Sequence, residues 1–500
     1  MAAMTPPRSP RKPLCHSCRT GGHPGGRVGR RTLRRLAGAG LWLCSAAAWP
    51  ADAALPAEVA AALQRARVPA EALAVVVQEV GSGRNLLAVQ AQQVMNPASL
   101  AKLLTTFAAL DLLGPAWTWS TPVWLVGPLR AGVLEGDLVI KGNGDPKLVL
   151  ERVWLLLRRV QQLGVREIGG DIVLDNSAFA PPNGAPADFD GERLRAYNVQ
   201  ADALLLNYKS VSYSFVPDPA RGVAQVIAEP RLPEAPEATV PLAGGPCNDW
   251  RAALQASFEG SRVRFAGAFP AACGEQSWVS ADPRPASYNA RLIESMWREL
   301  GGRLAGWARE GRAPSELKPS FEQRSPPLAE AVRDINKFSN NVMAQQLFLT
   351  LAAVQEPTRP ATPEAARELL ARWLAARLGE AAAEVVIDNG SGLSRDNRIT
   401  AQALARLLQL AWASPVMPEL IASLPVSGLD GTLRRSRATP GRAHLKTGSL
   451  RDVAGIAGYV LSDSGRRYVL VALLNHPHAN AARPALDALV GWTLRDAPSR

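Results

Sequence analysis

Three short motifs, Ser99-Leu100-Ala101-Lys102, Ser339-Asn340-Asn341 and Lys446-Thr447-Gly448, occur in that order along 500 residues, and the fold has to serve all three at once. A serine and a lysine three positions apart lie on one face of a helix, one turn from each other. At that spacing an amine can reach the hydroxyl proton without a histidine. Each triplet alone is weak evidence; their order and surroundings carry the signal. Lysine usage sharpens it. Of 56 Lys and Arg residues only eight are Lys, at positions 12, 102, 141, 147, 209, 318, 337 and 446. Lysine nevertheless stands at both motif positions, where a desolvated amine can lose its proton and a guanidinium cannot.

The first 53 residues differ from the rest. They hold nine basic residues and one acid, Asp52, followed through by an apolar run from Leu36 to Trp49 and the tripeptide Ala51-Asp52-Ala53. A basic region, a short apolar core and an A-x-A site predict a signal segment cleaved near Ala53, and therefore a periplasmic mature protein. Arg30-Arg31 also fits twin-arginine export, ranked below the general secretory route. Removing this segment takes eight net positive charges from the +12 of the whole chain and leaves about +4. A nucleic-acid partner is thereby excluded as the reason for the high pI. The remaining charge suits an anionic envelope polymer or a peripheral membrane contact. Cys15-His16-Ser17-Cys18 is half a metal motif with no second half, and Cys44 leaves with the segment. Cys247 and Cys273 remain, an even number in an oxidising compartment; a disulfide is expected, with two buried thiols as the alternative.

Along the mature chain, an alanine-rich helix (56–66) precedes a hairpin of Ala72–Val80 and Leu86–Val89. A helix is predicted from Ser99 to Leu113, placing the serine at a helix N-terminus, where free N–H groups favour negative charge. From about Trp117 short strands and turns take over, with a helix at 148–163, and helical sequence returns near Arg284-Pro285-Ala286. Helices at 364–378 and 400–412, strands at 444–447, 453–461 and 468–474, and a last helix at 482–494 close the chain. The pattern predicts a mixed α/β (α+β) domain, residues 54–115 plus 285–500, with an antiparallel sheet and flanking helices, split by a β-rich, two-lobed insertion at 116–284.

In this arrangement Ser99 is the candidate nucleophile and Lys102 its base. Lysine is ordinarily protonated to about pH 10.4, so acting as a base near neutrality requires its charged form to be destabilised by about 4 kcal/mol. Burial and a second cation, Lys446, both push that way. Lys446 can also bind a substrate carboxylate. Ser339 would relay a proton to a leaving amine, and Asn341 would position a substrate amide. The N–H groups of Ser99 and Ser449 would form an oxyanion hole. Thr447, Gly448 and Ser449 are expected to bind substrate, the small Gly448 letting it lie alongside as an added strand.

Asn96-Pro97-Ala98-Ser99-Leu100-Ala101-Lys102, Lys337-Phe338-Ser339-Asn340-Asn341, Asp388-Asn389-Gly390-Ser391-Gly392-Leu393-Ser394-Arg395 and Lys446-Thr447-Gly448-Ser449-Leu450 together resemble the class C low-molecular-mass penicillin-binding proteins. The resemblance spans essentially the whole mature chain, and the long interval from Ser99 to Ser339 is its most specific feature. It implies a transpeptidase-like domain with two domains inserted after the nucleophile helix. It further implies D-alanyl-D-alanine carboxypeptidase and endopeptidase activity on peptidoglycan peptides, and reaction with β-lactam antibiotics. An insertion acid that reads the amino group of a diaminopimelate side chain is also implied, with Asp188, Asp190 and Glu192 competing and Glu192 favoured. Arg395 resembles a position near the same pocket, or forms a loop-fixing salt bridge. Leu450 and Arg451 depart from the family's usual residues.

Neither a cofactor nor a metal is expected. Gly142-Asn143-Gly144-Asp145-Pro146 lacks the lysine and spacing of a phosphate loop, and His444, His476 and His478 read as structural. A β-lactamase-like hydrolase and a non-catalytic peptidoglycan-binding protein are the competing readings. The compact spacing of the former is missing, and the intact Ser99, Lys102 and Lys446 argue against the latter.

Overall fold

The computed structural model describes residues 54–233, 238–259 and 262–496, so the leader, with Cys15, Cys18 and Cys44, lies outside the described residues. Five antiparallel strands form the central sheet: β1 (Leu73–Glu79), β2 (Asn85–Val89), β3 (Ala443–Leu450), β4 (Val453–Leu461) and β5 (Arg467–Asn475), in the order β2-β1-β5-β4-β3. The inner strands are runs of Val, Ala and Leu because both faces are covered. Val75, Val77, Leu470 and Ala472 pack against the N-terminal helix Ala57–Arg65 and the C-terminal helix Arg483–Arg495. Ala74, Val76, Val469 and Val471 face the helical side. That side is centred on the helix Ala101–Leu113, apolar all round and buried almost throughout, as a helix enclosed by other helices must be. Leu328–Phe338, Asn341–Gln355, Pro363–Leu378 and Ala401–Trp412 surround it.

The chain leaves this domain at Gly114, in a left-handed conformation (φ 81°) that ends the helix. A first lobe contains a five-stranded sheet, spatially Ala308–Glu310, Ile172–Asp175, Asp137–Lys141, Ser120–Val126 and Phe321–Arg324. A second lobe is built on Ser210–Asp218, Val223–Glu229, Thr239–Ala243, Phe269–Pro270 and Gln276–Ala281. There Cys247 and Cys273 are disulfide-bonded, with Cα atoms 4.8 Å apart.

The insertion does not end at residue 284. The helix Pro285–Glu299 buries Tyr288, Leu292, Ile293 and Trp297 in the core of the insertion. The strand Phe321–Arg324 pairs antiparallel with Ser120–Val126, so the outgoing and returning chains run side by side. Trp119 and Ser325 complete this seam: the Trp119 N–H donates to the Ser325 hydroxyl, and the Ser325 N–H to the Trp119 carbonyl, both at 3.0 Å. The chain rejoins the central domain only at Leu328, whose side chain lies in its core. A helix starting with proline at 285 is correctly legible, but its periodicity does not say which core receives it.

Candidate active site

Asn96 builds the turn that carries Ser99. Its side-chain oxygen accepts from the Ala98 N–H at 2.8 Å, and its amide donates to the Ser394 carbonyl at 3.0 Å. Its own backbone is clasped by Asn475 at the end of β5, which accepts from the Asn96 N–H at 2.8 Å and donates to its carbonyl at 3.0 Å. Ala98 is thereby held at φ 47°, a left-handed conformation uncommon for alanine. Ser99 sits in a 3-10 turn, Ala98–Leu100, which feeds the α-helix Ala101–Leu113, rather than on the first turn of that helix. Two glycines make room for the turn. A Cβ at Gly392 (φ 82°) would lie 1.9 Å from the Ala98 carbonyl oxygen, and one at Gly448 would lie 2.7 Å from that of Pro97. Gly448 is therefore small because β3 packs beneath the nucleophile turn.

Lys102 is fully buried. Its Nζ lies 3.0 Å from Ser99 Oγ and 2.7 Å from Asn341 Oδ1, and it donates to the Ser391 carbonyl. Burial, followed by the charge of Lys446, holds its pKa well below the usual lysine value. Two carbonyl-type acceptors suit the two N–H bonds of a neutral amine, leaving its lone pair for the Ser99 hydroxyl proton. Lys446 is also fully buried; its Nζ donates to Ser339 Oγ at 2.9 Å and to the Thr447 carbonyl at 2.7 Å, and burial lowers its pKa to about 7.

Ser339 terminates the helix Leu328–Phe338 in a left-handed conformation (φ 55°), and Asn340 caps the next helix, Asn341–Gln355, by accepting from the Met343 N–H at 3.1 Å. This break turns Ser339 towards Lys446 and Asn341 towards Lys102. Lys337 anchors it by pairing with Asp430 at 2.6 Å. Asn341 bridges the two domains: its oxygen accepts from Lys102 at 2.7 Å, and one of the two N–H bonds of its nitrogen goes to the Tyr197 carbonyl of the insertion at 3.1 Å.

On β3, Leu445 N–H donates outward to the Pro425 carbonyl and the Ala443 carbonyl accepts from Ser427 N–H, both at 2.9 Å. In an antiparallel strand outward-facing backbone groups recur every second residue, so those of Thr447 and Ser449 face the same edge. Side chains alternate too. Lys446 and Gly448 face the nucleophile turn. Thr447 and Ser449 face the other side, where Thr447 meets the Thr432 hydroxyl at 2.7 Å and Ser449 accepts from Arg483 at 2.6 Å.

The insertion loop preceding Ser210 docks beside this cluster. Phe189 packs with Ala98, Leu393 and Leu450, while the Arg395 guanidinium lies 5.3 Å from the Phe189 ring centre and pairs with Asp452. Of the three acids, Asp190 is consumed by the loop itself. It accepts from the Glu192 N–H (3.0 Å), the Tyr197 hydroxyl (2.9 Å) and the Asn198 amide (2.7 Å). Burial raises its pKa, but these bonds outweigh burial and leave the carboxyl below its usual range. Glu192 is exposed, and its carboxylate lies 3.5 Å from Arg195. Asp188 accepts from the Ala185 N–H at 2.6 Å and also lines a cleft with Phe189, Asn389 and Leu393. Asn475, Tyr197 and the Ser391 carbonyl escaped the sequence analysis. Asn475 and Tyr197 stand in no motif, and the third acts through its backbone. Among the described residues no group of three or more His, Cys, Asp or Glu side chains is placed to hold a metal ion.

Residues 55–495 match the profile of the D-Ala-D-Ala carboxypeptidase 3 (S13) family. The chain is 27% identical to a D-alanyl-D-alanine carboxypeptidase of Actinomadura sp. (strain R39), over 84% of this chain and 81% of that protein. It is 23% identical to the D-alanyl-D-alanine carboxypeptidase DacB of Haemophilus influenzae, over 76% of this chain and 80% of that protein. Its fold is similar to the crystal structure of penicillin binding protein 4 from Haemophilus influenzae, with a TM-score of 0.69 at 21% identity, covering 86% of this chain and 99% of the other.

Gly392→Ala is expected to displace the Ala98–Leu100 turn, because its new methyl group would occupy the space of a backbone carbonyl. Misplacing a reacting atom by about an ångström costs roughly a hundredfold in rate. The reactivity of the Ser99 hydroxyl towards an acylating reagent should fall by that order in a protein that still folds, as read by mass spectrometry and circular dichroism. Wild-type reactivity in the variant would show that the Gly392 contact does not position the turn.

Proposed function

The chain belongs to the D-Ala-D-Ala carboxypeptidase 3 (S13) family, and from that premise we propose that Ser99 is the nucleophile of a serine-type D-Ala-D-Ala carboxypeptidase. The enzyme hydrolyses peptidoglycan stem peptides and binds penicillin. The observation that carries the proposal for Ser99 is the fully buried Lys102 amine 3.0 Å from its hydroxyl.

In the proposed mechanism, neutral Lys102 takes the Ser99 proton as Oγ attacks the carbonyl between two D-alanines. The edge-facing N–H of Ser449 and that of Ser99 stabilise the oxyanion. Ser339 gives its hydroxyl proton to the departing amine and is reprotonated by the Lys446 ammonium bonded to it; in deacylation the attacking water's proton restores Lys446 and the proton held by Lys102 returns to Ser99. Water then attacks the acyl-enzyme, releasing the shortened peptide and regenerating Ser99. β3 is an edge strand whose outer side is paired only as far as Leu445, so beyond it the edge can take an extended substrate as a sixth strand. The same chemistry would open D-alanyl–diaminopimelate cross-links. A periplasmic location is consistent with the family. Cleavage of a leader near Ala53 is part of the proposal, supported by the basic, apolar and A-x-A sequence of that segment.

Penicillin should form a covalent adduct that maps to Ser99 and disappears in Ser99→Ala. Lys102→Arg should be nearly as damaging as Lys102→Ala, since arginine retains the charge but cannot be the base. The second-order acylation rate should rise with pH as Lys102 loses its proton and fall above about pH 7 as Lys446 loses its own. The stability consequence has the opposite slope to that of a salt-bridged lysine. Between pH 7 and the ordinary lysine range the unfolded chain holds more protons than the native one, so conformational stability should rise with pH there. A level rate across pH 7–9 would remove Lys446 charge from the mechanism.

For side-chain recognition we propose Asp188, in place of Glu192, as the acid facing the substrate's ammonium group. The support is its position in the cleft with Phe189. Asp188→Asn should lower turnover of diaminopimelate-bearing peptides about tenfold while Glu192→Gln changes it little. The reverse pattern would return the role to Glu192.

A further inference from the structure

Ser99 and Ser339 open into a cleft of about 400 Å³ on the edge of β3, shared with Thr447, Ser449, Arg435 and Arg483. It is separate from the cleft of Asp188 and Phe189. Arg435 belongs to an unusually basic segment: residues 431–442 contain four arginines and no acid. Arg442 is engaged with Asp463 at 3.3 Å, but among the described residues the guanidinium groups of Arg434, Arg435 and Arg437 make no hydrogen bond or ion pair. One acid, Asp487, also lines the cleft; it accepts from the Ser436 hydroxyl at 3.1 Å, and among the described residues it forms no ion pair with Arg435.

The segment is nevertheless anchored. Leu433 and Ala438 are buried in the core on either side of Arg435. Ser436 ties it to the C-terminal helix through Asp487, and the Lys337–Asp430 pair fixes its start. A guanidinium without an ion pair, carried on an anchored loop beside a cleft, adds positive potential there and has its donors available for an anion. Across the cleft Arg483 donates one bond to Ser449 Oγ at 2.6 Å, adding a second cation beside the open edge of β3.

The chemistry of the reaction says which anion arrives. Ser339 faces the departing amine in the mechanism above, so the leaving fragment occupies this cleft. A departing D-alanine has one carboxylate, adjacent to the amine and within the sphere of Lys446, Thr447 and Ser449. A leaving fragment from a cross-link carries further carboxylates along its peptide, farther from Ser99. We propose that Arg435 and Arg483 form an anion subsite for a second carboxylate on the leaving-amine fragment, favouring cleavage of cross-linked peptides over release of single D-alanine. This rests on the assignment of Ser99 as nucleophile and of Ser339 to the departing amine. The subsite adds binding and selectivity; the bonds broken and formed are those of the hydrolysis already described.

The test compares two soluble peptides with the same acyl half, one releasing D-alanine and the other a diaminopimelate unit with a second carboxylate at its far end. kcat/KM is measured for the wild type, Arg435→Gln, Arg435→Lys and Arg435→Gln/Arg483→Gln. The expected result is that Arg435→Gln lowers the preference for the two-carboxylate leaving group about tenfold, the double variant lowers it further, and Arg435→Lys restores part of it. The wild-type preference should also weaken with added salt. An unchanged ratio, or equal loss on both peptides, would overturn the subsite. Penicillin labelling of Ser99 in the same preparations separates the two levels: without it in the wild type, the underlying mechanism and this proposal fall together, whereas labelling with an unchanged ratio rejects the subsite alone.

Discussion

The burial of the Lys102 amine is the constraint on which the rest of this site depends. A protonated lysine without solvent is costly, and among the described residues Lys102 has no carboxylate partner; it meets the Asn341 side-chain oxygen, the Ser391 carbonyl and the Ser99 hydroxyl. Nearby Lys446 adds repulsion. Both effects favour the neutral amine, and a neutral amine is what the chemistry needs. The three contacts come from three distant segments, so proper formation of the Lys102 environment reports the docking of the nucleophile turn, the second motif and the loop 388–395 together.

The insertion participates in that docking. Asn341 is held from one side by Lys102 and from the other by the Tyr197 carbonyl. One helical turn farther along, Gln346 makes reciprocal bonds with the Asp202 backbone, accepting from its N–H at 2.9 Å and donating to its carbonyl at 2.8 Å. Phe189 packs by the Ser99 turn itself. The insertion is thus a wall of the site and a support for its second motif. That wall has its own hydrophobic core, and its outgoing and returning strands are paired with each other.

The central sheet and its helices were legible because they obey local rules. Strand 453–461 agrees with its sequence boundaries at both ends, and the final helix is displaced by one residue. The motif residues were legible because their chemistry is restrictive: few side chains can replace an amine that must lose its proton. The return of the chain from the insertion was misplaced because the helix Pro285–Glu299 is amphipathic whichever core receives it; only strand pairing at 303–324 decides. The structural contacts of Gly448 and Asn341 are hidden for a related reason: a small residue or an amide near a nucleophile suggests ligand contact, and nothing local to either announces that the nucleophile turn packs closely on Gly448 or that Lys102 and the Tyr197 carbonyl bond the Asn341 amide.

The two sides of Ser99 differ in a way that follows from their construction. On the insertion side, Asp190 is spent on holding its loop, Glu192 is turned to Arg195, and Arg395 is tied to Asp452 while covering Phe189. Charges there are largely neutralised around an aromatic surface, an environment suited to a long side chain carrying one ammonium group at its end. On the β3 edge, Arg435 and Arg483 form no ion pair among the described residues and outnumber the one acid of the cleft, Asp487, around several hydroxyls, an environment suited to carboxylates. A peptide lying along β3 with its acyl half towards the insertion would meet these two fields in sequence. In the proposed binding mode the polarity of the site would orient the substrate before any contact with Ser99 is made, and strand addition to β3 would set the register in which the scissile carbonyl arrives.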